Sequence, residues 1–244
     1  MPRRLNEEMK FNYHHFDCTE STNLLAADGE PGDVFVAAEQ TAGRGRLDHK
    51  WHSRPGENLL MSVVLDVVGI SPAEVATFPL LAGLAVIKTI QRLSPPPPLF
   101  STCLLKWPND VYIDSRKVCG ILCERHGDRI VVGIGLNVRQ REFPEELKEK
   151  ATSLLLSGID VSVETVQNQV LASLAEVYDA WFRGGFAALY PEFAEIDFLK
   201  GREVTVMRTD DDASPVRGIC GGITSDGSLL VGAERIYAGE VRWD

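Results

Sequence analysis

The 244-residue sequence predicts an α+β fold: a mixed β-sheet with helices packed on it over residues 1–198, then a small β-barrel-like unit over residues 199–244. Three observations lead there. Apolar runs of strand length recur up to Val138, and a long apolar-striped helix interrupts them after Ser71. From Gly201 the texture changes to short alternating strands separated by turn residues.

The elements follow in order. After a polar lead-in, Ser21 or Thr22 can cap a short helix that ends near Gly29. Val34–Gln40 reads as a buried strand and Asn58–Val67 as a second. The near-continuous hydrophobicity of Asn58–Val64 suggests a sheet covered on at least one face. Ser71-Pro72-Ala73-Glu74 supplies a cap, a proline at the first helical position and a capping-box glutamate. The helix that follows runs to Leu93 with Pro79 as its breaking point. Pro95–Pro98 is a stiff extended spacer, too short to separate domains. "TCLLKWPNDVYIDSRKVCGILCER" reads as strand, turn and strand, and "DRIVVGIGLNV" as another strand. Residues 162–198 are helical in two stretches. The tail turns at "RTDDDASP" and "TSDGS".

Composition bounds the function. A net charge of −10 argues against general nucleic-acid binding, which needs a basic face, and fits poorly with docking on anionic lipid. Five scattered cysteines form no CxxC pair; Cys119 and Cys123, in one strand, share a face about 13 Å apart. Buried free thiols are the simple reading. The N-terminus is too polar for a signal peptide, and no apolar run reaches about 18 residues, so the expectation is a soluble, cytoplasmic protein.

Four stretches carry candidate chemistry. "GRGRLDHKW" concentrates Arg44, Arg46 and Lys50 among glycines in an acidic chain. It is either a solvated basic loop or a place where something anionic lands, with Gly43 and Gly45 allowing close backbone approach. "KWPND" is either a hairpin turn whose Trp107 caps the core or part of a site. Lys117 either snorkels to solvent or points into a pocket as a fixed cation for a phosphate. "GIGLN" is not GxGxxG and opens no helix; its alternate glycines mark a floor for something flat, with Asn137 as a polar stop. The histidines show no metal-ligand spacing, and no GxSxG elbow is present.

Taken together and in this order, these stretches resemble the biotin protein ligases. The matching segments are Glu20–Asn23, "EQTAGRGRLDHKWHSRPGENLLMSVVL", "KWPNDVYIDSRKVCGIL", "GIGLNV" and the closing tail "DGSLLVGAERIYAGEVR". They span nearly the whole chain from about residue 13. The resemblance implies a class II synthetase-like core and a two-step reaction: biotin and ATP give biotinyl-adenylate and pyrophosphate, then a lysine of a biotin carboxyl carrier domain displaces AMP.

Carried over by residue, Ser21, Thr22, Asn23, Gln40, Gly43, Arg44, Gly45 and Gly120 would bind biotin. Arg46 and Lys117 would serve biotin, ATP and catalysis. Trp51, Asn109 and Asn137 would sit around the nucleotide. Asp110 would position or deprotonate the incoming amine, which at an ordinary lysine pKa is mostly protonated. Magnesium is implied by ATP chemistry, with its protein ligands unassigned. A homodimer is allowed. The physical reason for the cations is the repulsion between a carboxylate and a triphosphate, which fixed positive charge offsets. Two departures stand out: His49 occupies the place of a third basic loop residue, and only about twenty residues precede "ESTN", too few for a winged-helix domain, so no DNA-binding repressor function is expected.

Overall fold

In the computed structural model, which describes residues 10–94, 103–208 and 214–243, a seven-stranded mixed sheet has the order β1-β2-β3-β7-β6-β5-β4. Its strands are β1 (Asn12–Thr19), β2 (Asp33–Gln40), β3 (Asn58–Asp66), β4 (Cys103–Lys106), β5 (Asp110–Ile113), β6 (Arg116–His126) and β7 (Arg129–Asn137). Only β1 and β2 run parallel; the other neighbours are antiparallel. The lead-in up to residue 9, the spacer Pro95–Pro98 and most of the turn after Arg208 fall outside the described residues.

Strand β1 is an addition to what the sequence suggested. "NYHHFDCT" lies at the sheet edge with most of its side chains open to solvent, so it lacks the apolar signature of a central strand. The centre behaves as expected. On β3, Leu59, Met61, Val63 and Leu65 alternate into the main core, while Asn58, Leu60, Ser62 and Val64 point to the other face. β7 repeats this with Ile130, Val132, Ile134 and Leu136 on the core side. That alternation leaves Gly133, Gly135 and Asn137 on the open face, and this face carries the site.

Helices α2 (Pro72–Val75), α3 (Phe78–Leu93) and α4 (Val163–Glu195) cover the core side. The capping box is present: the Ser71 hydroxyl accepts from the Glu74 N–H at 3.3 Å, and Glu74 accepts in return from the Ser71 N–H at 3.1 Å. The break falls at Ala76-Thr77, just ahead of Pro79, because proline is tolerated in the first turn of the new helix but not inside one. The stretch Pro72–Leu93 is apolar enough to resemble a membrane span, against the sequence reading, yet 72% of that window is buried inside the protein. Leu80, Leu84, Ile87 and Ile90 are buried there, each contributing about 1.5–3 kcal/mol by leaving water. α4 holds the two expected stretches, divided at Gly185, whose φ of 68° is a left-handed conformation that suits glycine. On the opposite face the short α1 (Thr22–Ala26) sets Ala26 against Val64, Val131 and Phe35.

The C-terminal strands β8 (Glu203–Met207), β9 (Val216–Ile223), β10 (Leu229–Val231), β11 (Glu234–Ile236) and β12 (Glu240–Trp243) form an open five-stranded sheet, β11-β10-β9-β8-β12. It does not close into the barrel-like form expected, because β11 and β12 remain unpaired edges. The sheet is tied back by the Trp107 indole N–H donating to the Gly227 carbonyl at 3.1 Å. Asp197 accepts from the N–H groups of Leu199 and Ile223 at 2.9 and 2.7 Å. Tyr112, Phe198 and Trp243 pack mutually with centroids 4.9–5.8 Å apart, which brings β12 beside β4 and β5. All five cysteines are free, but only Cys103, Cys119 and Cys220 are buried; Cys18 is exposed on the edge strand.

Candidate active site

A cavity of about 670 Å³ lies over the open face of the first sheet. Its floor is bare backbone. Gly135 on β7 pairs with Gly120 on β6, and Gly133 pairs with Ser62 on β3. A Cβ at Gly135 would stand 2.6 Å from Cε2 of Trp51, and one at Gly120 would stand 2.9 Å from Cζ3 of the same ring. The flat group on the expected floor is therefore, in this conformation, the chain's own Trp51. Its indole N–H is buried and has no partner among the described residues.

The basic loop is held as a small hairpin that carries Trp51 onto that floor. Arg44 and Lys50 form a β-bridge, the Trp51 N–H donates to the Gly43 carbonyl at 3.0 Å, and the Gly45 N–H donates to His49 at 2.7 Å. Gly43 and Gly45 were expected to let a ligand approach the backbone. What approaches is the other arm of the loop: a Cβ at Gly43 would meet the Trp51 carbonyl oxygen at 2.7 Å. Gly43 accordingly lines an adjoining hollow rather than the main cavity. Every other residue given a site role from the sequence lines the main cavity, while Trp107 caps the core.

One end is polar and uncharged. Gln40, the last residue of β2, accepts from the Thr22 N–H and hydroxyl at 2.7 and 3.0 Å. The Ser62 hydroxyl lies 2.7 Å from both the Thr22 hydroxyl and the Asn23 side-chain oxygen, and the Asn23 side-chain amide donates to Glu124 at 2.8 Å. Arg44 pairs with the same Glu124 at 3.0 Å, fastening the loop to β6. Ser21 sits at the N-cap position of α1 but makes no cap bond with its side chain; it is buried beside the cavity. Such a fan of donors and acceptors suits a small amide-like head group.

The other end is charged. The Lys117 ammonium stands 2.7 Å from Asp110. Arg46 donates to the Asn109 side-chain oxygen at 3.4 Å and to the Gly239 carbonyl at 3.3 Å. Burial pulls the Arg46 guanidinium below its ordinary value, with Asp110 and Glu240 acting the other way. The Lys106 ammonium is lowered chiefly by burial, while Asp110 and Glu240 oppose. Asn109 donates to the Ile121 carbonyl at 2.8 Å, so its oxygen is held toward the cavity. Asn137 donates to the Thr152 carbonyl at 3.0 Å, and its own buried oxygen has no partner among the described residues.

Sequence reasoning missed part of this wall. Lys106, Glu240, Arg242 and Trp243 all line the cavity. The β12 residues lie more than a hundred positions from the basic loop, and no local pattern ties them to it. Lys106 had a readable signal: a lysine ending the apolar run Cys103-Leu104-Leu105. Ser62 and Glu124 were also unmarked: Ser62 is a single polar residue inside the apolar run of β3, and Glu124 begins the polar end of β6.

A family model, the Biotin/lipoate A/B protein ligase family, matches residues 15–140. Among curated relatives, the bifunctional ligase/repressor BirA of Bacillus spizizenii is 32% identical over 235 residues, 91% of this chain and 70% of that protein. The biotin–[acetyl-CoA-carboxylase] ligase of Paracoccus denitrificans is 30% identical over 240 residues, 91% of this chain and 97% of that one. Among solved structures, the biotin protein ligase from Aquifex aeolicus in complex with biotin and ATP superposes with a TM-score of 0.82 at 30% identity, covering 96% of this chain and 98% of that one.

Proposed function

The chain belongs to the biotin/lipoate A/B protein ligase family, and from that membership we propose that it is a biotin protein ligase: it activates biotin with ATP and passes it to a lysine of a biotin carboxyl carrier domain. The observation that carries the reading is one cavity with an uncharged hydrogen-bonding end at Thr22, Asn23 and Gln40 and a charged end at Arg46, Asp110 and Lys117. Biotin has that polarity, with a ureido ring at one end and a carboxylate at the other.

In the first step a carboxylate oxygen attacks the α-phosphorus of ATP. The bond from α-phosphorus to the bridging oxygen breaks, and pyrophosphate leaves with the electron pair. Arg46 and Lys117 offset the repulsion between the two anions, and because they are fixed in place they need no reorganisation as charge moves. In the second step the acceptor amine attacks the acyl carbon, the acyl–oxygen bond breaks and AMP leaves. Asp110, which pairs with Lys117 at 2.7 Å, is the carboxylate assigned to orient that amine and take its proton. Trp51, Asn109 and Asn137, with the free oxygen of Asn137, are assigned to the nucleotide. The basic loop keeps water from the acyl phosphate.

Magnesium enters as the complex of ATP. The cavity carboxylates form no cluster of three or more ligating side chains among the described residues, so no resident metal is assigned and no step is routed through one. The open edge of β1 is a candidate seat for the carrier domain or a second copy of the chain. The 199–244 unit helps close the charged end through β12. The free thiols suit a reducing compartment such as the cytoplasm. The net charge of −10 gives no reason to carry over the repressor activity of the Bacillus relative.

Labelled biotin, a purified carrier domain, ATP and magnesium test the reading, with Lys117→Ala beside the wild type. ATP-dependent labelling that the substitution abolishes is the expected result. Transfer of octanoyl or lipoyl groups instead would move the chain to the other branch of its family. Biotin binding without transfer would leave a binding module.

A further inference from the structure

At the charged end of the cavity Arg46, Lys106 and Lys117 face the carboxylates Asp110 and Glu240, and the exposed Arg242 of β12 also lines the wall. Lys117 is taken by Asp110 at 2.7 Å. Arg46 has Asn109 and Gly239 as hydrogen-bond acceptors and feels both carboxylates. Lys106 also feels both carboxylates, but neither is in contact with it. It is only 8% exposed, yet its ammonium makes no hydrogen bond or ion pair among the described residues. What it has is the face of Trp243, 4.6 Å away. A mostly buried cation whose carboxylates stay out of contact is costly, and a ring face compensates only in part. The cost is offset if an anion comes to it.

The sheet order says which anion. The ureido end lies at β2, β3 and β7; Lys117 opens β6; Lys106 ends β4, two strands further on, about 10 Å at ordinary strand spacing. Along the cavity the sequence is therefore head-group site, Lys117, Lys106. On the adenylation reading given above, the biotin carboxylate and the α-phosphate meet at Arg46 and Lys117, and the groups beyond them are the β- and γ-phosphates.

We propose that Lys106 is a further catalytic residue of the adenylation step, the cation that receives the departing pyrophosphate. As the bond from α-phosphorus to the bridging oxygen breaks, that oxygen and the β-phosphate gain the negative charge, and the Lys106 ammonium faces it without giving up a proton. The hairpin turn "WPND", whose register sets Lys106 opposite Asp110, then serves both half-reactions: one end meets the leaving group and the other the incoming amine.

The two half-reactions separate this role from a packing role against Trp243. Biotin-dependent ATP–pyrophosphate exchange reports the first; transfer from supplied biotinyl-adenylate to a carrier domain reports the second. Lys106→Met should lower the exchange rate on the order of 100-fold, weaken product inhibition by pyrophosphate at least tenfold, and leave transfer within about threefold of wild type. Lys106→Arg should restore most of the exchange. Where Lys106→Met fails to fold, Lys106→Gln is read the same way. Equal losses in both half-reactions, a loss confined to transfer, or unchanged inhibition by pyrophosphate would each overturn the assignment. A wild-type chain with no biotin-dependent exchange would instead remove the adenylation reading itself, and this inference with it.

Discussion

The Lys117 ammonium and the Asp110 carboxylate form an ion pair of 2.7 Å across the β5–β6 hairpin, so the two residues assigned to opposite halves of the reaction hold each other. On the proposed reaction, a substrate carboxylate and phosphate that draw the lysine would release Asp110 to meet the amine. The pair thereby links completion of the first step to readiness for the second.

That linkage predicts a split. Asp110→Asn should retain biotin-dependent ATP–pyrophosphate exchange within about tenfold and lose transfer by roughly 100- to 1,000-fold. Lys117→Ala should lose exchange by a comparable factor. Equal loss of exchange in both variants would contradict the division of labour.

The glycine floor predicts a steric phenotype. A methyl group at Gly135 would stand 2.6 Å from the Trp51 ring, and at Gly133 only 2.1 Å from the Asn23 side-chain oxygen. Gly135→Ala should raise the KM for biotin at least tenfold while costing about 1–3 kcal/mol of stability, measured by steady-state kinetics and urea unfolding.

The polar end predicts a selective one. Gln40 accepts two hydrogen bonds from Thr22, and its loss leaves those donors searching for partners. Gln40→Ala should raise the KM for biotin by about 10- to 100-fold and leave that for ATP within about threefold. Parallel rises in both constants would show that the effect is structural.

The tie between the sheets predicts a modest loss of stability. Trp107→Phe removes the hydrogen bond to the Gly227 carbonyl, 3.1 Å long, while keeping an aromatic ring in the core. Unfolding should be easier by about 1–2 kcal/mol. An unchanged midpoint would mean that water replaces the bond without cost.

Lys106 predicts a pH effect on stability. Burial, against the pull of Asp110 and Glu240, sets its folded pKa below the unfolded value near 10.4. Between those two values the unfolded chain binds more protons, so this residue's contribution to stability rises with pH. The difference in melting temperature between wild type and Lys106→Met should therefore shift in favour of the wild type as the solution is made alkaline. A difference flat with pH would place Lys106 in an environment as wet as the surface.

Much of this arrangement was readable. The central strands β2, β3 and β7 announce themselves by apolar runs because one face packs under the helices and part of the other under α1, and the capping box at Ser71 is a local pattern with a local cause. The edge strand β1 was not readable, since an exposed strand needs no apolar residues. In the site, Arg46, Asp110 and Lys117 stood out because charge beside glycine, proline or a turn is conspicuous. Lys106 opened the conspicuous KWPND stretch, but no local pattern told its role. Glu240 and Trp243 were hidden by distance, because only the packing of Trp243 on Tyr112 and Phe198 brings β12 to the cavity. The loop glycines were conspicuous for a reason other than the one that came first to mind: they serve the loop's own hairpin.

The contact between Trp51 and Gly135 bears on how fast a ligand can arrive. Indole and floor touch, so a flat ring that uses the floor must first part them, and the loop held by the Arg44–Glu124 pair has to rise with the tryptophan. Association then has two clocks, collision and opening. At low biotin concentration the observed rate should climb in proportion to concentration; at high concentration it should level off at the opening rate of the loop. Loosening Arg44 from Glu124 would lift that plateau, and the same change would let the finished adenylate escape sooner.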